Sequence, residues 1–342
     1  MIRVLVVEDS ATVRRHLVTL LNAAGDFEVV AQVSTAAEAV RAAAALEPDL
    51  VSLDVFLPDG SAAQVVAQIL KGRRVPILLL SDAPRNADEV FRALEAGASD
   101  FMSKPKPGHR ASTTAMLTSM RALSRMRMDG GPRLTAAAGS TSLSVLVVVA
   151  STGGPGILRS MLGALPARFA LPIVIAQHLS AGFEEGMARW LAEGSHLEVR
   201  VATPGAKLRR GRAYLGTSGT DVVIATGGAL EVSPALPHGY HPSGDALFSS
   251  AVDVFGGGVA AVVLSGVGSD GLRGARRVID AGGVVFAQDP EAAAVGSMPR
   301  AVLQAGLASK CGTPENLAKA IVGALESRGV AERSRPYIEE VQ

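Results

Sequence analysis

A single cysteine, Cys311, is all that the 342 residues contain. No disulfide can close within the chain. With no second thiol and no nearby histidine to share a metal, Cys311 reads as a small apolar residue. Aromatic residues are scarce, at 4%, so the interior has to be built from aliphatic side chains. No apolar run approaches the ~18 residues of a membrane span. The opening stretch, Met1 to Val7, meets Glu8 and Asp9 at once, whereas a signal peptide needs a longer apolar segment and a small-residue cleavage site. Charge of one sign is also missing. A formal net charge of +1 gives no footing for nucleic acid or an anionic membrane. Internal repeats are absent. A soluble, cytoplasmic protein with no nucleic-acid partner and no membrane insertion is expected.

Aliphatic strands are what the chain has in quantity. Hydrophobic residues make up 48% and charged residues 19%, enough for two domains at ~150 residues each. Short Val/Ile/Leu runs suit strands buried on both faces of a parallel sheet. In the first third, strands are predicted at 2–7, 28–33, 50–53, 77–80 and 100–103. Helices fall between them, one N-capped by Ser10 and running to Leu21, another over 36–46. Five strands alternating with helices imply a flavodoxin-like (βα)5 sheet with right-handed crossovers, over residues 1–122. A helix over about 111–127 leads into a Gly-, Pro- and Ser-rich stretch, which marks an interdomain linker at 123–142.

The strand pattern restarts at 143–150 and continues at 172–176, 197–201, 222–225, 260–264 and 284–287. Alternation across 213–232, around Gly227-Gly228, suggests a β-hairpin. Gly256-Gly257-Gly258 reads as a helix stop, and a last helix is predicted over 314–327. These signals describe a doubly wound, mostly parallel α/β domain over 143–328, followed by a flexible tail over 329–342.

In such sheets functional side chains collect at the carboxyl ends of the strands. In the first domain Glu8, Asp9, Asp54, Ser81 and Lys104 all fall there. Crowded carboxylates repel unless a cation joins them, and hard oxygen ligands at a wet rim suit Mg²⁺. A carboxylate beside that ion can attack a phosphoryl group and form an aspartyl phosphate. Lys104 would balance the charge and the Ser81 hydroxyl would donate to a phosphate oxygen. Any one of these residues alone is better read as a turn or cap. Their succession, each at a strand end, is what carries the inference.

In the second domain a strand delivers Ser151 into Thr152-Gly153-Gly154-Pro155, a sharp turn into a helix that Pro155 can start. Helix N–H groups there could stabilise an oxyanion. Serine needs a base, and His178 follows the next strand. The base needs an orienting carboxylate, and Asp270 follows the strand at 260–264. The order Ser, His, Asp is neither that of the α/β-hydrolases nor of the two protease classes. Plainer readings exist. The Gly-rich turn could cradle a phosphate, although no full Gly-x-Gly-x-x-Gly is present. Asp270 could be a plain N-cap for the helix from Leu272. His196, His238 and His241 read as surface or core residues.

Residues 1 to about 122 resemble the receiver domain of two-component response regulators, at Glu8, Asp9, Asp54, Ser81, Phe101 and Lys104-Pro105. The likeness implies Asp54 as phosphoacceptor, Glu8 and Asp9 as partners of Asp54 in holding Mg²⁺, and Phe101 as an aromatic switch. Two departures stand out: the loop Pro58-Asp59-Gly60 is two residues shorter than the family's, and Phe56 takes a position that is often acidic or polar. Residues from about 143 to 328 resemble the catalytic domain of chemoreceptor glutamate methylesterases. The likeness rests on Ala-Ser-Thr-Gly-Gly at 150–154, Ala-Gln-His at 176–178 and His-Pro-Ser-Gly-Asp-Ala-Leu-Phe at 241–248. It rests also on Leu-Ser-Gly-Val-Gly-Ser-Asp-Gly at 264–271 and Gly-Ser-Met-Pro-Arg at 296–300. It implies Ser151 as nucleophile, His178 as base and Asp270 as its orienter, with Thr152 and Val267 beside the reacting carbonyl and no cofactor for the esterase step. Implied partners are the cytoplasmic helices of methyl-accepting chemoreceptors as substrate and a histidine kinase as phosphodonor. Val149 stands where the family has Gly, Val267 where it often has Met, and 216–221 replaces a family Ala-Pro-Gly-Asp-x-His. Two other readings stay open on sequence: a non-enzymatic signalling module that binds receptor or kinase, and a nucleotide-binding effector.

Overall fold

A computed structural model describes residues 1–82, 87–125, 141–234 and 240–330. The chain divides into two compact units, Met1–Met126 and Arg127–Gln342. Most of the stretch 123–142, and the chain beyond Val330, lie outside the described residues, as does His238.

In the N-terminal unit the order is β1 (Ile2–Val7), α1 (Ala11–Ala24), β2 (Phe27–Val33), α2 (Ala36–Leu46), β3 (Leu50–Asp54), β4 (Phe56–Leu57), β5 (Gly60–Ser61) and α3 (Ala62–Gly72). Then follow β6 (Ile77–Leu80), α4 (Ala87–Glu95), β7 (Asp100–Met102) and α5 (Arg110–Ser124). The main sheet runs β2-β1-β3-β6-β7, with every pairing parallel. Leu5, Val6, Leu53, Ile77 and Leu79 are wholly buried in it, each contributing roughly 1.5–3 kcal/mol by leaving water. Local chemistry agrees with the helix starts. Ser10 Oγ accepts from the Val13 N–H, and Ser61 with Gln64 forms a reciprocal capping box. Strand order reverses between β1 and β3, so the loops leaving their carboxyl ends open a shared crevice.

The C-terminal unit begins with β8 (Val145–Ala150), α6 (Gly154–Gly163), β9 (Ile173–Gln177), α7 (Glu184–Glu193), β10 (Glu198–Val201) and β11 (Arg212–Leu215). It continues with β12 (Thr220–Ile224), β13 (Leu230–Pro234), α8 (Gly244–Phe255), β14 (Val259–Val263), α9 (Leu272–Asp280) and β15 (Val284–Gln288). It ends with α10 (Ser297–Gln304), β16 (Lys310–Gly312) and α11 (Pro314–Arg328). The parallel sheet has the order β10-β11-β9-β8-β14-β15-β16. Its switch point lies between β8 and β14, whose carboxyl ends deliver Ser151 and the 264–271 loop. Val145, Val147, Val149, Val174, Phe248, Val263 and Met298 belong to one buried cluster under that rim.

Two details depart from the sequence reading. The hairpin expected across 213–232 is only β12–β13, antiparallel. Arg212–Leu215 instead pairs in parallel with β9 and β10 inside the main sheet, because Ala213, Tyr214 and Leu215 are all buried. The short edge strand β16, carrying Cys311, was not anticipated. Burial pushes the Cys311 thiol up to about 11, in keeping with an inert side chain.

Candidate functional site

At the β1/β3 crevice Glu8 and Asp54 are buried and Asp9 is exposed. Lys104, just beyond β7, reaches both buried carboxylates, with its Nζ 2.8 Å from Glu8 Oε2 and 3.0 Å from Asp54 Oδ2. Burial drives Glu8 up to about 7 against the pull of its hydrogen bond from Lys104, and the nearby Asp54 charge adds to the rise. Burial also raises Asp54. Burial opposes the charge on Lys104 too, but hydrogen bonds to Glu8 and Asp54 hold its pKa above the ordinary value. One oxygen from each of Glu8, Asp9 and Asp54 lies within 4.8 Å of the others. An all-oxygen donor set, open to water at Asp9 and with two carboxyls pushed toward protonation, fits a hard divalent cation.

Ser81 follows β6 on the same rim. Its hydroxyl is buried and has no hydrogen-bond partner among the described residues. Phe101 on β7 is buried edge-on against Phe91, with ring centroids 5.6 Å apart. The loop after Asp54 is closed as a miniature ribbon, β4 pairing with β5. Asp59 at its tip accepts from the Ala36 and Ala37 N–H groups at 2.6 and 3.1 Å, which ties the ribbon to the start of α2. Phe56 is left 52% exposed, and its N–H donates to Asp54 Oδ1.

At the switch point of the larger sheet, Ser151 leaves β8 into a tight turn. Its N–H donates to Ser265 O, and its own carbonyl accepts from Gly154 N–H and Gln177 Nε2. Gly153 sits at φ 74°, and a Cβ there would strike the Ala294 methyl and the Ser265 hydroxyl, so only glycine makes the turn. Gln177 Nε2 also donates to His178 O, bracing the two loops against each other. His178 Nδ1 lies 3.0 Å from Ser151 Oγ, and His178 Nε2 lies 3.0 Å from Asp270 Oδ2. The imidazole is therefore turned over relative to the serine-protease triad, where Nε2 faces the serine.

Asp270 is no cap for the helix it precedes, α9, whose N-cap is Gly271. Instead its carboxylate closes the start of α8. Oδ2 accepts from Gly244 N–H at 2.7 Å, and Oδ1 accepts from Asp245 N–H at 3.0 Å and from Ser243 Oγ. Burial pushes Asp270 up, but the hydrogen bonds from His178 and from the Gly244 and Asp245 N–H groups outweigh it, and its pKa sits below the ordinary value. An ionised Asp270 fixes the proton on Nε2, leaving Nδ1 as acceptor toward Ser151. The arrangement can remove the serine proton and stabilise the resulting imidazolium.

Thr152 is buried beside Ser151, and its carbonyl accepts from Ser265 Oγ. Gly266, next to the half-buried Val267, packs on Ser151: a Cβ built on it would lie 2.7 Å from Ser151 Cβ. Four residues of this neighbourhood were not singled out from sequence. Gln177 and Ser265 lie inside quoted blocks, the first next to His178 and the second in the block that carries Asp270. Tyr240 stacks on His178, and Asp221 accepts from the Ser243 N–H while pairing with His241. Those contacts are made through space and leave no local pattern.

Residues 146–321 match the CheB methylesterase family. The chain belongs to that family. Residues 4–113 match the response regulator receiver domain, so this CheB-type chain joins the two. It is 38% identical over 333 residues to a protein-glutamate methylesterase/protein-glutamine glutaminase of Anaeromyxobacter dehalogenans, covering 93% of this chain and 97% of that one. It is 33% identical to a protein of the same description from Myxococcus xanthus, covering 96% and 98%. The crystal structure of the Thermotoga maritima CheB methylesterase catalytic domain superposes with a TM-score of 0.51 at 29% identity, over 54% of this chain and 99% of that one. Among the described residues of this CheB-family chain, no helix is long and apolar enough to cross a membrane.

Proposed function

We infer that the protein hydrolyses γ-glutamyl methyl esters on the cytoplasmic helices of chemoreceptors, and deamidates glutamines there, under control of phosphorylation at Asp54. The reading rests on one observation above others: the unbroken series Ser151 Oγ, His178 Nδ1, His178 Nε2 and Asp270 Oδ2, with both links at 3.0 Å. Ser151 Oγ attacks the ester carbonyl carbon while Nδ1 takes its proton. The oxyanion is met by N–H groups of the turn after β8 and of the loop carrying Val267. As the C–OCH₃ bond breaks, the imidazolium returns the proton and methanol leaves. Water then attacks the acyl-serine, again giving its proton to Nδ1, and glutamate and free Ser151 result. With glutamine as substrate the leaving group is ammonia.

Asp54 accepts the phosphoryl group from a histidine kinase. Glu8, Asp9 and Asp54 would hold Mg²⁺, which when bound offsets the charge of the phosphoryl oxygens. Lys104 and the Ser81 hydroxyl lie on the same rim to receive those oxygens. Names and substrate classes of the relatives support this reading, as does the receiver match ahead of the hydrolase.

The test is release of labelled methanol from receptor membranes carrying tritiated methyl esters, with and without acetyl phosphate and Mg²⁺. Release that acetyl phosphate stimulates in the wild type, that ignores it in Asp54→Ala and that vanishes in Ser151→Ala is expected. Full release from Ser151→Ala would overturn the assignment.

A further inference from the structure

The ring of Tyr240 lies parallel to the His178 imidazole, the planes 3° apart and the centroids at 5.0 Å. Nothing in the proposed chemistry uses this residue. Tyr240 is 47% exposed, among the few large apolar side chains left open to solvent, so its place is not explained by core burial. Its other edge rests on the catalytic loop, since a Cβ on Gly268 would come 3.1 Å from the phenol oxygen. The residues after it are firmly held. His241 Nδ1 lies 2.8 Å from Asp221 Oδ1, which also accepts from the Ser243 N–H at 2.7 Å. Ser243 N-caps α8 and donates to Asp270 Oδ1. One short strap, 240–243, thus sets both the aromatic face on the imidazole and the helix start that orients the carboxylate.

We propose that Tyr240 is a positioning residue for His178, its ring face stabilising the imidazolium that forms as Ser151 loses its proton. The inference rests on the reading of His178 as the base. A cation over an aromatic face is attracted by the ring quadrupole, more strongly when partly shielded from water. Neutral imidazole gains far less, so the ring acts on the transition state and not on the resting site. Among the described residues, the titratable groups in contact with the imidazole are Asp270 at Nε2 and the Tyr240 phenol itself, while Asp221 and His241 pair with each other within the strap's anchoring.

The test is the rate of fluorophosphonate labelling of the full-length protein from pH 5 to 9, in wild type, Tyr240→Leu and Tyr240→Phe, with thermal unfolding as a control of fold. Tyr240→Leu should label roughly three- to thirtyfold more slowly at the plateau. Its acid limb should move to lower pH, because the imidazolium has lost its partner. Tyr240→Phe, which keeps the ring, should recover both rate and limb. A Leu variant with wild-type rate and limb overturns the proposal. So does a slow Leu variant with an unmoved limb, which would mark a structural role, or a Phe variant as slow as Leu, which would assign the effect to the hydroxyl. Ser151→Ala separates the two readings. If it is labelled as fast as wild type, the triad falls; if it is silent while Tyr240→Leu is normal, only the role of Tyr240 falls.

Discussion

Asp270 carries two duties that pull on the same two oxygens: it orients His178 and it closes the N-terminus of α8. Replacing it with Asn should keep the shape but offer the base the wrong hydrogen-bonding partner, with an expected drop in kcat of about 10³–10⁴ by comparison with other triads. The stability effect has a definite sign. Asp270 has a depressed folded-state pKa, so its contribution is present above the unfolded carboxylate value of about 4 and is lost as pH falls through the depressed value. In urea titrations, wild type should exceed Asp270→Asn by its full margin at pH 7, and the margin should shrink below about pH 4. A gap that widens with acid would contradict the assignment. Part of this site was legible from residue types: Ser151, His178 and Asp270 stand at strand ends next to turn residues. The turned-over imidazole was not, because which ring nitrogen faces which partner is set by where β9 and the 264–271 loop stand in space.

Among the elements, continuous Val/Ile/Leu runs made the buried parallel strands readable, and Ser10 announced its helix by capping chemistry; the capping box at Ser61 emerges only in the structure. Arg212–Leu215 was misjudged because its four residues carry a terminal arginine and stand close to the glycine turn of the true hairpin. Its place is decided by β9 and β10 on either side. Val149 on β8 finds its complement in another element. A Cβ on Gly244, the first residue of α8, would fall 2.6 Å from Val149 Cβ. Strand β8 and helix α8 therefore fit closely because the Val149 side chain on one is met by glycine on the other. Gly244→Val should cost about 1–3 kcal/mol through overpacking and should slow labelling of Ser151, since Gly244 N–H holds Asp270. Val149→Ala added to it should restore part of both, leaving the double variant more stable than the sum of the singles by about 1 kcal/mol or more. Strict additivity in denaturant titration would show that the two side chains do not share this space.

At the level of the whole chain, two sheets each have their own switch point and their own buried cluster. The division into two units at residues 126 and 127 falls within the glycine-, proline- and serine-rich stretch that interrupts two runs of strand signals in the sequence. The fragment 141–342 should fold cooperatively by itself and be labelled at Ser151 at a rate indifferent to acetyl phosphate, whereas the full chain should respond to it. An insoluble fragment, or one without a cooperative thermal transition, would mean that the larger core depends on the smaller. Legibility ended at the Tyr240 strap and at Asp221, where residues distant in the chain meet without any periodic signal.

The buried Ser81 hydroxyl has a consequence for heat and for time. Among the described residues no protein group accepts from this hydroxyl, so an acceptor brought to the rim would gain a hydrogen bond there. An acyl phosphate on Asp54 would bring such an acceptor to that hydroxyl. By reciprocity, whatever the phosphoryl group adds to the firmness of the domain, the firmness of the domain adds to the persistence of the phosphoryl group. How warm the receiver can become before it opens, and how long it remembers a signal, are then set in part by the same oxygen atom.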